Sequence, residues 1–336
     1  MDLLFPPKWV FRTIFLYVWQ WDSTLLIIPD WDNHRYVLID SNIVEDDEKT
    51  FNIAEILKGK LKEWELTFIN THPHTDHLKG IKQIHESLSI WEVWHSWHIP
   101  HKDSDEEYKN MMDVIAEIWT DNEFYLKWTN ESNFIHKDIS EDTKIEKKLG
   151  DVDFQVFSPA QYVIDDIESE TEDDRRKRIH EQCGVLKFMY EGKSIMITWD
   201  SDKASWKEYI TDYYIEHLQA DILHASHHGS RSFFKDGQDD EDVYVEHLVK
   251  IAPSYLVVSS PKNSKFEHPH TDAMEIYSKH IEKENIYILW QEEKNLVVDI
   301  NLGGDMNLEY IDFEEVDKCQ WNITNIINPP KPWKSF

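Results

Sequence analysis

Hydrophobic and polar positions change period several times along the chain, and each change marks an element. Thr13–Val18, Thr24–Pro29 and Tyr36–Asp40 are short β-rich runs, with the polar cluster Asp30–Asn33 as the turn between the second and third. Asn52–Trp64 spaces Ile53, Ile56, Leu57 and Leu61 at helical intervals. Leu66–Asn70 predicts a strand, Leu78–Leu88 a helix, Ile90–Trp94 a strand, and Ser104–Trp128 a long helix apolar at Met111, Val114, Ile115 and Ile118. Further strands are expected at Val152–Ser158, Gly184–Tyr190, Ser194–Thr198, Asp221–Ala225, Tyr255–Ser259 and Ile286–Leu289. Helices are expected at Lys203–Leu218, Asp242–Ile251 and Asp272–Lys283, and a closing antiparallel pair at Asn295–Ile300 and Met306–Asp312. Strands, then helices, then the same again suit a four-layer αββα sandwich, although periodicity alone does not separate that from other α/β folds. No internal repeat or Pro/Gly/Ser linker divides the chain. The expectation is one domain over residues 1–315 and an irregular tail over 316–336, where Pro329, Pro330 and Pro332 fall.

Composition narrows the class. The 336 residues are 40% hydrophobic, enough for a large core, and carry a net charge of −30. That charge repels phosphates and argues against broad nucleic-acid binding, while leaving room for a local cationic pocket, bound metals or a basic protein partner. The two cysteines, Cys183 and Cys319, form no CxxC pair, so a reducing, cytoplasmic setting is expected. The apolar stretch Trp9–Ile28 is broken by Arg12, Gln20 and Asp22, which excludes a cheap membrane span, and no signal peptide is visible. Ile164–Arg178 runs from acidic residues into the basic run Arg175–Arg178 and reads as a solvated segment whose two halves pair.

The decisive segment is Thr71-His72-Pro73-His74-Thr75-Asp76-His77, between a predicted strand and a predicted helix. Imidazole and carboxylate are the donors that suit zinc and other first-row divalent ions. In an extended segment, residues i and i+2 point the same way, so His72 and His74 can grip one cation together. Asp76 and His77 sit where the chain turns into the helix, within reach of a second cation.

This HxHxDH motif resembles the signature of the metallo-β-lactamase fold. Other segments resemble one branch of it, the C-terminal hydrolase domain of ComEC competence proteins and its free-standing relatives. That branch's FLDVGQGD, LIDxG and LLTGD appear here as Phe15–Asp22, Leu38–Asn42 and Met196–Asp200. Its D-x-L-K-x-x-HHGS appears as Asp221–Ser230, and its late N-x-x-x-HP near Asn263 and His268-Pro269. The resemblance implies a four-layer αββα metallo-β-lactamase sandwich holding two divalent metal ions, Zn2+ or Mn2+. His72 and His74 would bind the first metal, Asp76 and His77 the second, and Asp200 would bridge them. One of His227 and His228 would close the second site, and the other would face the substrate; the sequence does not say which. Asp40 would orient the histidine loop. Many members of the fold carry a further histidine upstream of the bridging aspartate as third ligand of the first metal; here His180 is the candidate for that place, ahead of Cys183, which reads better as a small buried hydrophobe.

The departures bear on activity. Trp19, Trp21 and Trp199 stand where the branch has glycine, as does Asn42. Glycine permits unusual dihedrals, so the loops at the site's mouth are expected to change shape. The tryptophans would either stack on substrate or serve as core and rim aromatics. Arg231, directly after HHGS, would hold a phosphate oxygen or be solvated, and His268 would reach the substrate or cap a helix. The expected activity is hydrolysis by a metal-held hydroxide, acting as a phosphodiesterase or nuclease on DNA or a smaller phosphodiester. The alternatives are hydrolysis of a carbonyl ester, lactone or amide, and a catalytically weakened metal-binding interaction subunit.

Overall fold

The computed structural model describes residues 3–18, 23–43, 52–62, 65–95, 106–122, 147–159, 163, 166–167, 169–171, 174–175, 178–260 and 266–312. Trp19, Trp21, Asn263 and the tail 316–336 lie outside them. The first half builds β1 (Phe11–Phe15), β2 (Thr24–Asp30), β3 (Asn33–Ile39), β4 (Ser41–Asn42), β5 (Leu66–Ile69) and β6 (Ile90–Trp94). Interspersed are helices α1 (Ile53–Leu57), α2 (Thr75–Leu78), α3 (Ile81–Leu88) and α4 (Glu106–Asn122). The second half builds β7 (Lys147–Leu149), β8 (Val152–Ser158), β9 (Val185–Tyr190), β10 (Lys193–Ile197), β11 (Ile222–His224), β12 (Tyr255–Val258) and β13 (Ile286–Ile288). Strands β14 (Asn295–Ile300) and β15 (Met306–Ile311) complete the set.

All of these strands except β4, which bridges only to Leu78 and Lys79, make two seven-stranded sheets, ordered β15-β14-β1-β2-β3-β5-β6 and β13-β12-β11-β10-β9-β8-β7. Alternation along β2 and β3 shows how the layers form. Leu26, Ile28, Val37 and Ile39 face the second sheet and share a core with Val185, Phe188 and Ile197. Their neighbours Leu25, Ile27 and Leu38 face the other way, onto Ile53, Leu57, Ile81, Ile84, Met111 and Val114 of α1, α3 and α4. The outer face of the second sheet is covered by Trp206, Ile210, Leu248, Ile251 and Ile276. Each fully buried aliphatic or aromatic side chain contributes about 1.5–3 kcal/mol, which is why both faces of both sheets are covered. The result is the four-layer αββα sandwich that the sequence leads one to expect.

Several helices differ from their periodicity: that expected at Leu78–Leu88 starts only at Ile81, after Gly80 at φ +89°, and that expected at Asp272–Lys283 ends at Tyr277. α1 ends at Leu57 rather than running to Trp64, because Lys58 turns to extended geometry and Gly59 takes φ +73°. Lys203–Leu218 is not one α-helix: Ser205–Ile210 is a π turn closed by Thr211 N donating to Trp206 O at 2.9 Å. The widened turn seats the buried Trp206 indole against Phe233 at 5.6 Å and His247 at 5.5 Å. No helix among the described residues is long and apolar enough to cross a membrane.

Candidate metal centre

The site forms at one end of the sandwich, where strands of both sheets finish. The loop after β5 carries His72 and His74 and passes into α2 with Asp76 and His77. Asp200 follows β10, and the His227-His228 pair follows β11, the parallel neighbour of β10. His180 arrives on the 3-10 turn Ile179–Gln182 that leads into β9.

Asp40 organises the loop from below. It sits fully buried with φ +52° and accepts from Thr71 N at 2.8 Å, Thr71 Oγ1 at 2.5 Å, Asn70 Nδ2 at 3.2 Å and His77 Nδ1 at 2.6 Å. Burial raises its pKa, against the pull of His77. With Nδ1 committed to Asp40, His77 presents Nε2 to Asp76 Oδ2 at 3.5 Å and Asp200 Oδ2 at 3.7 Å. Burial works to lower the pKa of His77, but Asp76, Asp200 and Asp40 outweigh it and hold it well above the usual value. Asp200 is the mirror case: burial would raise it, and His227, His77 and His228 outweigh that and keep it ionised.

Two groups of donors converge on Asp200. In the first, His72, His74, His180 and Asp200 bring one ligand atom each within 4.8 Å of one another. His72 Nε2 lies 2.9 Å from His74 Nδ1 and 3.6 Å from Asp200 Oδ2. Burial, then the neighbouring imidazoles, lowers the pKa of His72 well below its usual value and that of His74 to about 4. Both rings are therefore neutral near pH 7, with lone pairs to offer. In the second group, Asp76, His77 and His228 meet the same 4.8 Å limit. His228 Nδ1 donates to Ser259 O at 3.0 Å, which leaves Nε2 facing Asp200 Oδ1 at 3.8 Å. Asp40, His72 and His77 form a third cluster, but Asp40 spends its oxygens on the hydrogen bonds above.

These residues fit divalent cations. Asp200 Oδ1 is buried and accepts no hydrogen bond among the described residues. An unsatisfied buried acceptor costs about 1–3 kcal/mol, which a cation beside His228 would offset. Imidazoles and carboxylates, with no thiolate among them, suit zinc, manganese or iron. Cys183 stays outside the donor groups: its sulfur accepts from Asp200 N at 3.3 Å and lies 3.6 Å from His72 Nδ1, and burial keeps it a thiol.

Comparison with known proteins adds distant likenesses. No family model matches the chain. A stretch of 96 residues, 29% of this chain, is 27% identical to ComE operon protein 3 of Bacillus subtilis and spans 11% of that protein. Among solved structures, the diiron β-hydroxylase CmlA of Streptomyces venezuelae is 11% identical, with a TM-score of 0.47 over 84% of this chain and 53% of that one. Zn-bound PqqB of Methylobacterium extorquens is 10% identical, with a TM-score of 0.43 over 80% and 85%. Yeast PDE1 is 11% identical, with a TM-score of 0.40 over 83% and 97%. At such scores the chemistry of the site rests on its own side chains.

The remaining expected residues divide. The His227 side chain is 20% exposed, with Nε2 3.6 Å from Asp200 Oδ2 and Nδ1 3.0 Å from Ser232 Oγ. Its ring lies 4.7 Å from His180 and 5.3 Å from His268, on the open side of the cluster. Burial and the surrounding histidines push His268 down to about 3. Arg231 Nε is taken by Asp272 at 3.0 Å, and Lys235 Nζ reaches the same carboxylate at 2.8 Å. Trp199 is fully buried, edge-on to His77 at 6.0 Å, and takes φ +43°. The left-handed geometry that glycine serves is thus kept by a tryptophan, and a buried indole has no face for substrate.

Sequence reading missed His224 and His270. His224 stacks on Phe15 at 5.5 Å and meets Ser259 Oγ at 3.1 Å. His270 Nδ1 accepts from Arg231 N at 3.0 Å. The repeat of His-Pro-His at His268–His270, echoing His72–His74, was the available signal.

Proposed function

We propose that the chain is a binuclear metal-dependent hydrolase whose substrates are phosphodiesters. The observation that carries this reading is the convergence of two donor groups on one carboxylate, Asp200, whose Oδ2 faces His72 and His77 and whose Oδ1 faces His228. His72, His74 and His180 would hold the first cation, Asp76, His77 and His228 the second, with Asp200 between them. Two divalent cations held there would supply Lewis acidity and would acidify a bound water toward neutrality.

The chain's own residues define the rest. Asp40 fixes the ring of His77, and Ser259 fixes that of His228, so neither donor has to reorganise when substrate enters. His227 is partly exposed and has His268 beside it at 5.3 Å, and a leaving group or a non-bridging oxygen would lie on this side. His227, neutral and held through Nδ1 by Ser232, is placed to exchange a proton through Nε2. Arg231, steadied by Asp272, puts positive charge beside the His227 turn, as an anionic ester requires. The motif resemblance to ComEC-type hydrolases favours phosphorus over carbonyl centres. The net charge of −30 favours a small or locally gripped phosphodiester over long DNA.

Metal analysis of the purified chain, with a zinc- or manganese-supplemented assay on bis-p-nitrophenyl phosphate, tests this. About two cations per chain are expected, and cleavage should fall at least ~1,000-fold in Asp200→Ala with the fold retained by circular dichroism. Two cations with ester or lactone turnover and no phosphodiester cleavage would move the reading to carbonyl substrates. A chain that takes up no cation would overturn it.

A further inference from the structure

Most of the donors are anchored at strand ends, but His180 is not. His72 and His74 follow β5, with Asp76 and His77 just beyond in α2; Asp200 follows β10 and His228 follows β11. His180 rides on a short turn ahead of β9. Its carbonyl accepts from Ser205 Oγ at 3.1 Å and from Cys183 N at 3.2 Å. At the head of that turn stands Arg178.

The Arg178 guanidinium is only 20% exposed and is surrounded by acceptors. Its Nε donates to both carboxylate oxygens of Glu181 at 3.1 and 3.0 Å, and Nη2 donates to Glu181 Oε2 at 2.8 Å. Nη2 also reaches Tyr209 Oη at 2.9 Å, in the π turn that follows Asp200. Nη1 donates to Asp166 Oδ2 at 3.0 Å and Glu170 Oε1 at 2.5 Å. Tyr209 Oη closes the ring by donating to Glu181 Oε2 at 3.1 Å. One cation thus fastens together the acidic stretch, the His180 turn and the segment after Asp200. His180 is flanked by two members of this clamp, Arg178 and Glu181. A planar fork of five donors can hold three carboxylates and a phenol at once, which a lysine ammonium cannot match.

We propose that Arg178 is a positioning residue for the first cation site: its clamp holds His180 toward His72 and His74 and so sets the affinity of that site alone. This rests on the assignment of His180 to the first cation. Without the fork, Asp166, Glu170 and Glu181 repel one another and the turn between them loses its fixed orientation. The second site, built on Asp76, His77 and His228, shares none of these contacts.

The test is cation binding by the full chain, by equilibrium titration with Zn2+ against a chelator and by the visible spectrum of the Co2+-loaded protein. The wild type should bind two cations. Arg178→Gln should weaken one site at least tenfold, leave the other within about twofold, and lose part of the Co2+ absorption; Arg178→Lys should fall between. His180→Ala should weaken the same site, and the double variant should be no weaker than His180→Ala, since both act through one ligand. If Arg178→Gln fails to fold, Glu181→Gln removes one arm of the clamp and should show the same selective loss. Wild-type affinity at both sites in these variants, equal weakening of both sites, or additive losses with His180→Ala would overturn the proposal while leaving the binuclear reading intact. A wild-type chain that binds no cation overturns both.

Discussion

At the scale of single residues, the turn after β11 holds an unusual concentration of backbone strain. His227, His228 and Gly229 take φ +49°, +56° and +79° in succession. Left-handed geometry costs a non-glycine residue of order 1–3 kcal/mol, and such runs persist where the surroundings over-determine them. Here the two rings are turned apart by it, one toward Ser259 and the Asp76 group, the other toward Ser232 and the opening. Gly229 is the member with no latitude: a Cβ there would lie 2.7 Å from Pro269 Cβ. Gly229→Ala should therefore lose about 1–3 kcal/mol in chemical denaturation and shift His228 enough to weaken metal uptake. Unchanged stability and stoichiometry would contradict the packing described. This turn also shows what residue patterns convey. Alternation of side chains placed His72 and His74 together, and spacing in the motif placed Asp76 and His77 beside them. The assignment of His228 rather than His227 to the second donor group depends on dihedrals that no periodicity encodes. His180 was marked only by the resemblance, and the hold of Ser205 on its carbonyl comes from the distant turn after Asp200; the pairing of Arg231 with Asp272, far along the chain, was likewise not legible from local sequence.

At the scale of elements, the short helix Glu246–Ile251 buries a histidine the site does not use. His247 is fully buried among Phe233 at 4.1 Å, Tyr244 at 5.0 Å, Phe234 at 5.5 Å and Trp206 at 5.5 Å. Neither ring nitrogen has a hydrogen-bond partner among the described residues, and burial pushes the pKa down to about 3. In the unfolded chain the group titrates near its ordinary value of about 6.5. Between these two values the unfolded state binds the extra proton. The contribution is whole above about pH 6.5 and is lost as pH falls, at about 1.4 kcal/mol per pH unit. Urea denaturation at pH 7.5 and pH 5 should show a steeper loss in the wild type than in His247→Phe; parallel losses would mean that this imidazole is solvated. Most strands matched their alternation within a residue or two, since each buried face is written as every second position. The π turn at Ser205–Ile210 was invisible because its apolar spacing passes for that of an α-helix.

At the scale of the whole molecule, 65 acidic residues oppose 35 basic ones. Compacting that charge costs free energy through self-repulsion. Raising NaCl from about 10 to about 150 mM shortens the screening length from roughly 30 to 8 Å. Calorimetry should then show the melting temperature rising by a few degrees, about 1 kcal/mol for a domain of this class. A fall would mean that ion pairs such as Arg178 with its carboxylates outweigh the net repulsion. The order of the first sheet has a separate consequence for how the molecule is made. β1 lies in its interior, paired on one side with β2 and on the other with β14, as Phe11 opposite Ile300 shows. A ribosome adding about 5–20 residues per second needs on the order of tens of seconds to travel from one of these partners to the other. For that interval the nascent chain carries a naked β edge, rich in Phe and Ile, that only a late-arriving strand can close. A bound chaperone, or a slow final zipping step, belongs naturally to the biosynthesis of such a chain.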